Sequence, residues 1–263
     1  MSLLAADIGN AHTTLGLLDG AAAGDAPAEV LAHWRVATDP HRTADEWSVL
    51  LRGLLGPDAS VDGIVVCSTV PAVLHEWREM LERHFAGVPH VVVEPGVRTG
   101  VPVLTDNPRE VGSDRIVNAL AAARFYGGPA IVVDFGGTAT TFDVVNAAGQ
   151  YVGGAIVPGI EISLEALGRR GAQLRKVELA RPRTVIARNT VEALQSGMLF
   201  GVASQVEGMV ARMTAELGAD PDAVRVIATG HLAPLVVGEC ACFTDEEPWL
   251  TLRGLHLVFE RNS

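Results

Sequence analysis

Lysine is nearly missing from this chain. Of its 20 basic residues nineteen are arginine, and the one lysine, Lys176, stands between Arg175 and Val177. A Walker-A loop requires Gly-Lys-Ser/Thr, a protein kinase requires a lysine on a strand, and a Schiff-base enzyme requires a buried one. The neighbours of Lys176 supply none of these settings, so any nucleotide here is handled without a lysine on its phosphates. Aromatic residues are scarce too, at 5%, which leaves the core to Ala, Val, Leu and Ile, as in α/β proteins with near-continuous aliphatic strands. Three cysteines, Cys67, Cys240 and Cys242, include a Cys-x-Cys with no second ligand pair nearby, and they read as ordinary thiols rather than a zinc site. No apolar run approaches the ~18 residues of a membrane-spanning helix. The opening "MSLLAAD" has no basic segment and meets an acid before an apolar stretch can form, so no secretory signal is expected and the cytoplasm is the expected location. A net charge of −11 offers no basic face to nucleic acid.

What is present is a repeat. The stretch "IVVDFGGTATTFDVVNAAG" restates "LLAADIGNAHTTLGLLDG": Asp7, Gly9, Thr13 and Thr14 fall on Asp134, Gly136, Thr140 and Thr141 at a constant offset of 127 residues. Around each copy the same order of elements is predicted. The first half reads as strands at 3–7, 13–19 and 30–36, with a hairpin-type signal at Asp19-Gly20. A helix over 44–55 follows, opened by a Thr43/Glu46 capping box. Next come a strand at 63–69, a helix from Pro71 to about Phe85, a strand at 90–94 and a helix beginning near Ser113. The second half restarts with strands at 130–135, 140–145 and 151–157, helices at 161–167 and from Thr190 to about Leu217, and a strand at 224–230. An opening meander followed by alternating elements, twice over, is the order of a duplicated α/β domain. The expected division is 1–118 and 119–263, with the last segment able to pack back on the first.

A strand that ends in Asp-x-Gly and continues into small residues has a physical use. Glycine lets the backbone approach a ligand closely and leaves N–H groups to cradle phosphate oxygens. The aspartate repels phosphate but can hold a cation or its water shell. One such turn is common in plain hairpins; two at constant register favour a phosphate clamp, the logic of the acetate kinase, sugar kinase, Hsc70 and actin superfamily.

Within that superfamily "DIGNAHTTLGLLDG", "DNPREVGSDRIVNA", "VVDFGGTATTFDVV", "GGAIVPGIEIS", "RNTVEALQSGMLFG" and "WLTLRGL" together resemble the type III pantothenate kinases, in order and interval, from about residue 3 to residue 261. The resemblance implies an α/β fold of two actin-like (ribonuclease H-like) domains with mixed sheets and an ATP cleft between them. It implies ATP-dependent phosphorylation of pantothenate, the first step of coenzyme A synthesis, in a homodimer using a divalent cation (Mg) and a monovalent one (K or NH4). Asp114 matches the general base. Asp7, Ile8, Gly9, Asn10, Ala11, His12, Thr13 and Thr14 match the first phosphate turn, with Asp7 holding the divalent ion through water and Asn10 and Thr13 facing the phosphates. Asp134 matches the monovalent-cation ligand, and Gly112, Ser113, Asp114, Arg115 and Thr190 match pantothenate contacts. On local pattern Asp114 reads equally as a helix N-terminal acid, and Thr190 as a cap.

The chain also departs from the family. The second turn carries an extra glycine, leaving the ATP-facing position open between Gly137 and Thr138. His231 stands where a second glycine is usual, Ala187-Arg188 replaces Gly-Lys, and Thr105 replaces a tyrosine against pantothenate. The window 169–188 gathers seven basic residues against Glu178, either an attractor for anions or a solvated rim. These departures keep two alternatives open: a relative that binds nucleotide without turnover, and a kinase of another small hydroxylated acid.

Overall fold

In a computed structural model, the described residues are 2–20, 26–57, 59–170 and 177–263, with Arg170 described through its backbone alone. Lys176 and Arg175 lie outside the described residues, as does the Arg170 side chain. The chain divides into two compact units, one of residues 1–125 with 249–263 and one of 126–248.

The first unit opens with β1 (Ser2–Ile8), β2 (His12–Asp19) and β3 (Val30–Ala37), an antiparallel meander. The Asp19-Gly20 signal does not close a two-residue hairpin: pairing resumes at Leu18 with Val30, and Asp19 N–H reaches the Glu29 carbonyl at 3.0 Å across a longer connection. Helix α1 (Ala44–Leu55) starts with both halves of the Thr43/Glu46 capping box in place. Then come β4 (Gly63–Ser68), α2 (Pro71–His84), β5 (His90–Val92) and α3 (Ser113–Phe125), giving a sheet of order β3-β2-β1-β4-β5 with β4 and β5 parallel to β1. β1 is buried on both faces, which is why its sequence is continuously aliphatic. Leu4, Ala6, Ile8, Ile64 and Val66 pack with Trp47 of α1 and Trp77 of α2, whose rings stand 5.3 Å apart. By the two-residue alternation of a strand, Asp7 and Cys67 face the opposite side of the sheet.

The second unit repeats the plan with β6 (Ala130–Phe135), β7 (Ala139–Val145) and β8 (Tyr151–Pro158), then α4 (Ile160–Arg170), α5 (Thr190–Leu217), β9 (Arg225–Thr229), the short α6 (Ala233–Val236) and β10 (Asp245–Glu246). Its sheet order is β10-β9-β6-β7-β8. Each strand takes the place of the one five earlier in the first sheet, so the duplication read from Asp7 and Asp134 extends through both sheets. Phe135, Phe142, Leu199, Val206 and Ala228 belong to the core of this unit. Last comes α7 (Leu250–Asn262), which returns to the first unit and lies against α3 and strands β1, β2, β4 and β5.

Candidate active site

Both Asp-x-Gly turns form where the sequence repeat predicts, each at the end of the first strand of its sheet. In the first, the Ile8 carbonyl accepts from the Thr69 N–H (3.0 Å) and hydroxyl (3.3 Å), Gly9 N–H donates to the His12 carbonyl (3.0 Å), and the Ala11 carbonyl accepts from Thr38 N–H (3.0 Å). Ile8 is buried and serves through its backbone, while Asn10 and Ala11 stand exposed at the tip. His12 and Thr14 are half-buried. Thr13, expected to face the phosphates, is placed otherwise: it is 0% exposed and its hydroxyl lies 2.9 Å from that of Thr38. Strand alternation puts it with Leu15 on the core side of β2.

The second turn shows how backbone donors are aimed. Phe135, Gly137 and Thr138 have their carbonyls held by the N–H groups of Leu232 (3.3 Å), Ile162 (3.3 Å) and Gly159 (2.9 Å). Across a trans peptide the N–H points opposite to the carbonyl, so the amides of Gly136 and Thr138 are turned away from these partners. Gly137 is buried and Thr138 exposed. A Cβ at 137 would overlap the Glu161 carboxylate, which in turn meets His231 Nε2 at 3.4 Å. The additional glycine therefore belongs with Glu161 and His231, and Thr138 is the residue whose side chain is presented. Asp134, half-buried at the end of β6, is approached closely by Gly230: a Cβ there would lie 2.5 Å from Asp134 Oδ1 and 2.7 Å from Phe135 N. Gly230 also holds φ +89°, a region that favours glycine.

Asp114 sits in the first turn of α3, which is tied to β4 by the Ser113 hydroxyl donating to the Ser68 carbonyl at 3.3 Å. Its Oδ1 is buried without a hydrogen-bond partner among the described residues, and a Cβ at Gly112 would overlap that oxygen. Burial pushes the Asp114 carboxyl up, against the opposing pull of the Arg115 amide and charge. Arg115 is itself half-buried. Sequence reasoning passed over Cys67 as an ordinary thiol. It is 0% exposed and donates to Asp7 Oδ1 at 3.3 Å. Burial, with the charges of Asp7 and Asp114, holds this thiol well above its usual range. The only sequence signal was its place at the end of a strand parallel to β1.

Thr190 is exposed and is the first residue of α5, not its cap. Asn189 takes that role, its side-chain oxygen accepting Glu192 N–H at 2.9 Å. Arg183 holds Glu192 through two bonds of 2.5 and 2.9 Å, and these two residues help line a hollow of about 620 Å³ with Thr184, Val185, Ile186 and Arg188. Thr105 carries a buried hydroxyl without a hydrogen-bond partner among the described residues.

The donor sets match the groups a kinase needs. Backbone amides turned outward at a glycine turn suit phosphate oxygens. A single half-buried carboxylate, such as Asp7, suits a hard divalent cation that keeps its water.

Two sheets of one topology, each with an Asp-x-Gly turn at the end of its first strand, define the class of actin-like kinases and ATPases. Among solved structures, the inorganic polyphosphate/ATP-glucomannokinase of Arthrobacter sp. strain KM shares this fold, with a TM-score of 0.50 and 14% identity over 98% of each chain. The family model of the type III pantothenate kinases matches residues 3–212. A type III pantothenate kinase of Nocardioides sp. is 74% identical over 264 residues, the whole of both chains, and that of Streptomyces griseus is 61% identical over 268 residues, covering 99% of this chain and 98% of the other. This chain belongs to the type III pantothenate kinase family.

Proposed function

We propose that this chain transfers the γ-phosphoryl group of ATP to the terminal hydroxyl of pantothenate, forming 4'-phosphopantothenate, the first step toward coenzyme A. Family membership over the full length supports the substrate. The observation that carries the chemistry is Asp114, a buried carboxylate whose Oδ1 has no hydrogen-bond partner among the described residues and whose affinity for a proton is raised. Such a group accepts the hydroxyl proton at that oxygen as the phosphoryl group moves in line. Gly112, Ser113, Arg115 and Thr190 bind pantothenate, with Arg115 directed to an anionic group. Asn10, Thr138 and the turn amides hold phosphate oxygens. Thr13, Ile8, Gly9 and Ala11 shape the first turn through backbone and packing. Asp7 would hold the divalent cation through water and Asp134 the monovalent one, and the ions would supply positive charge beside the phosphates. The working unit is a cytoplasmic homodimer.

The test is detection of phosphopantothenate by mass spectrometry after incubation with ATP, magnesium, potassium and pantothenate, beside an Asp114→Asn control. Product that falls about 10²- to 10⁴-fold in the control, the usual contribution of a positioned base, supports the reading. No product from folded protein across nucleotides and cations overturns it. Glu161 and His231 beside Gly137 favour one second reading, nucleotide binding without turnover; bound nucleotide with no product would select it.

A further inference from the structure

The end of β4 engages the first phosphate turn and the base helix at three consecutive residues. Thr69 holds the Ile8 carbonyl through its N–H (3.0 Å) and hydroxyl (3.3 Å). Ser68 offers its carbonyl to the Ser113 hydroxyl at 3.3 Å, one residue before Asp114. Cys67 stands opposite Asp7 in the parallel register of β1 and β4, fully buried, with its S–H directed at Asp7 Oδ1 at 3.3 Å. Asp114 exerts its charge on the same thiol, and Asp114 Oδ1 is a buried oxygen without a hydrogen-bond partner among the described residues. A thiol is a small apolar group with one weak donor, and the volume here could be filled by an alkyl side chain without any donor. The feature that packing leaves unexplained is the direction of the S–H.

We infer that Cys67 is a positioning residue: its S–H sets the orientation in which the Asp7 carboxylate meets the water shell of the divalent cation. The inference rests on the proposed role of Asp7. It gives the second link between the two carboxylates of this unit a purpose: β4 sets Asp7 by Cys67 and the helix of Asp114 by Ser68, so one strand end fixes both.

The experiment is calorimetric titration of ADP into wild type, Cys67→Ala and Cys67→Ser, each with and without magnesium, and the same three proteins assayed for KM of magnesium-ATP and kcat. Loss of one weak hydrogen bond to a charged group predicts about fivefold weaker magnesium-ADP binding in Cys67→Ala. Metal-free ADP binding stays unchanged, and KM for magnesium-ATP rises while kcat holds within about twofold, with Cys67→Ser restoring the wild-type values. Equal loss with and without magnesium, no loss, or equal loss in Ala and Ser variants overturns the inference, because none of these is the result that removing a donor to Asp7 predicts. Should Cys67→Ala fail to fold, infrared spectra of the intact wild type and Asp7→Asn decide: a shifted band for one buried S–H supports the bond, and unchanged bands overturn it. Failure of the pantothenate reading shows separately, as magnesium-ADP binding without phosphopantothenate.

Discussion

In the proposed reading, Asp114 trades stability for chemistry. A carboxylate buried with an unpartnered oxygen is destabilising in its charged form, and burial accordingly pushes its pKa up. A carboxyl raised in the folded state leaves stability intact below the unfolded value near 3.9 and removes it as pH rises through the folded value. Asp114→Asn is therefore expected to raise Tm at neutral pH by about 2–4 °C, the effect of roughly 1 kcal/mol in a chain of this length. The gain should shrink toward pH 4 in thermal melts. A Tm that falls at neutral pH would remove the argument. Glycines near the second turn give a paired prediction. A Cβ at Gly159 would overlap the Gly137 carbonyl oxygen and lie 2.8 Å from Ala139 N, all backbone, whereas at Gly137 it would overlap only the flexible end of Glu161. Gly159→Ala is expected to destabilise by about 2–3 kcal/mol and to weaken nucleotide binding more than tenfold, with Gly137→Ala milder in both. Chemical denaturation and calorimetry of the two variants check this; equal behaviour would show that Gly159 does not hold the turn.

At the scale of elements, local chemistry wrote most boundaries into the sequence. The capping box at Thr43 and Glu46, the proline at the start of α2 and the apolar runs of β1 and β6 act within a few residues of themselves, and a linear reading finds them. Features made by pairing at a distance were not legible. β10 is two residues long and exists only because Asp245 and Glu246 lie beside Ile227 and Ala228. Cys67 gains its meaning from the register that sets it opposite Asp7, 60 residues earlier. Thr13 shows a third case: its position in the motif suggested the ligand, while alternation along β2 turned it into the core. Asn189, one residue before Thr190, outranks threonine as a cap and took the helix start. Asn189→Ala should cost about 1 kcal/mol, seen as a Tm lower by about 2–4 °C, and Thr190→Ala almost nothing. Reversal of that order in thermal melts would reassign the cap.

At the scale of the whole molecule, the last helix matters most. Leu250, Leu252, Leu255, Leu257, Val258 and Phe259 of α7 are all buried, and at ~1.5–3 kcal/mol each their burial approaches or exceeds the ~5–15 kcal/mol by which a typical domain is stable. A chain ending at residue 248 should therefore lose the first unit. Hydrogen exchange is expected to show amides of β1 and β4 unprotected in that variant and those of β6 and β7 still slow. Protection of β1 and β4 without α7 would contradict it. Because residues 249–263 belong to the same unit as residues 1–125, the part of the chain that leaves the ribosome first is the part finished last. At ~5–20 residues per second, residues 126–248 take on the order of 10 s to emerge. Through that interval the nascent first sheet waits with its α7 face open, a ready substrate for chaperones, and the second unit has every residue it needs before the first unit does.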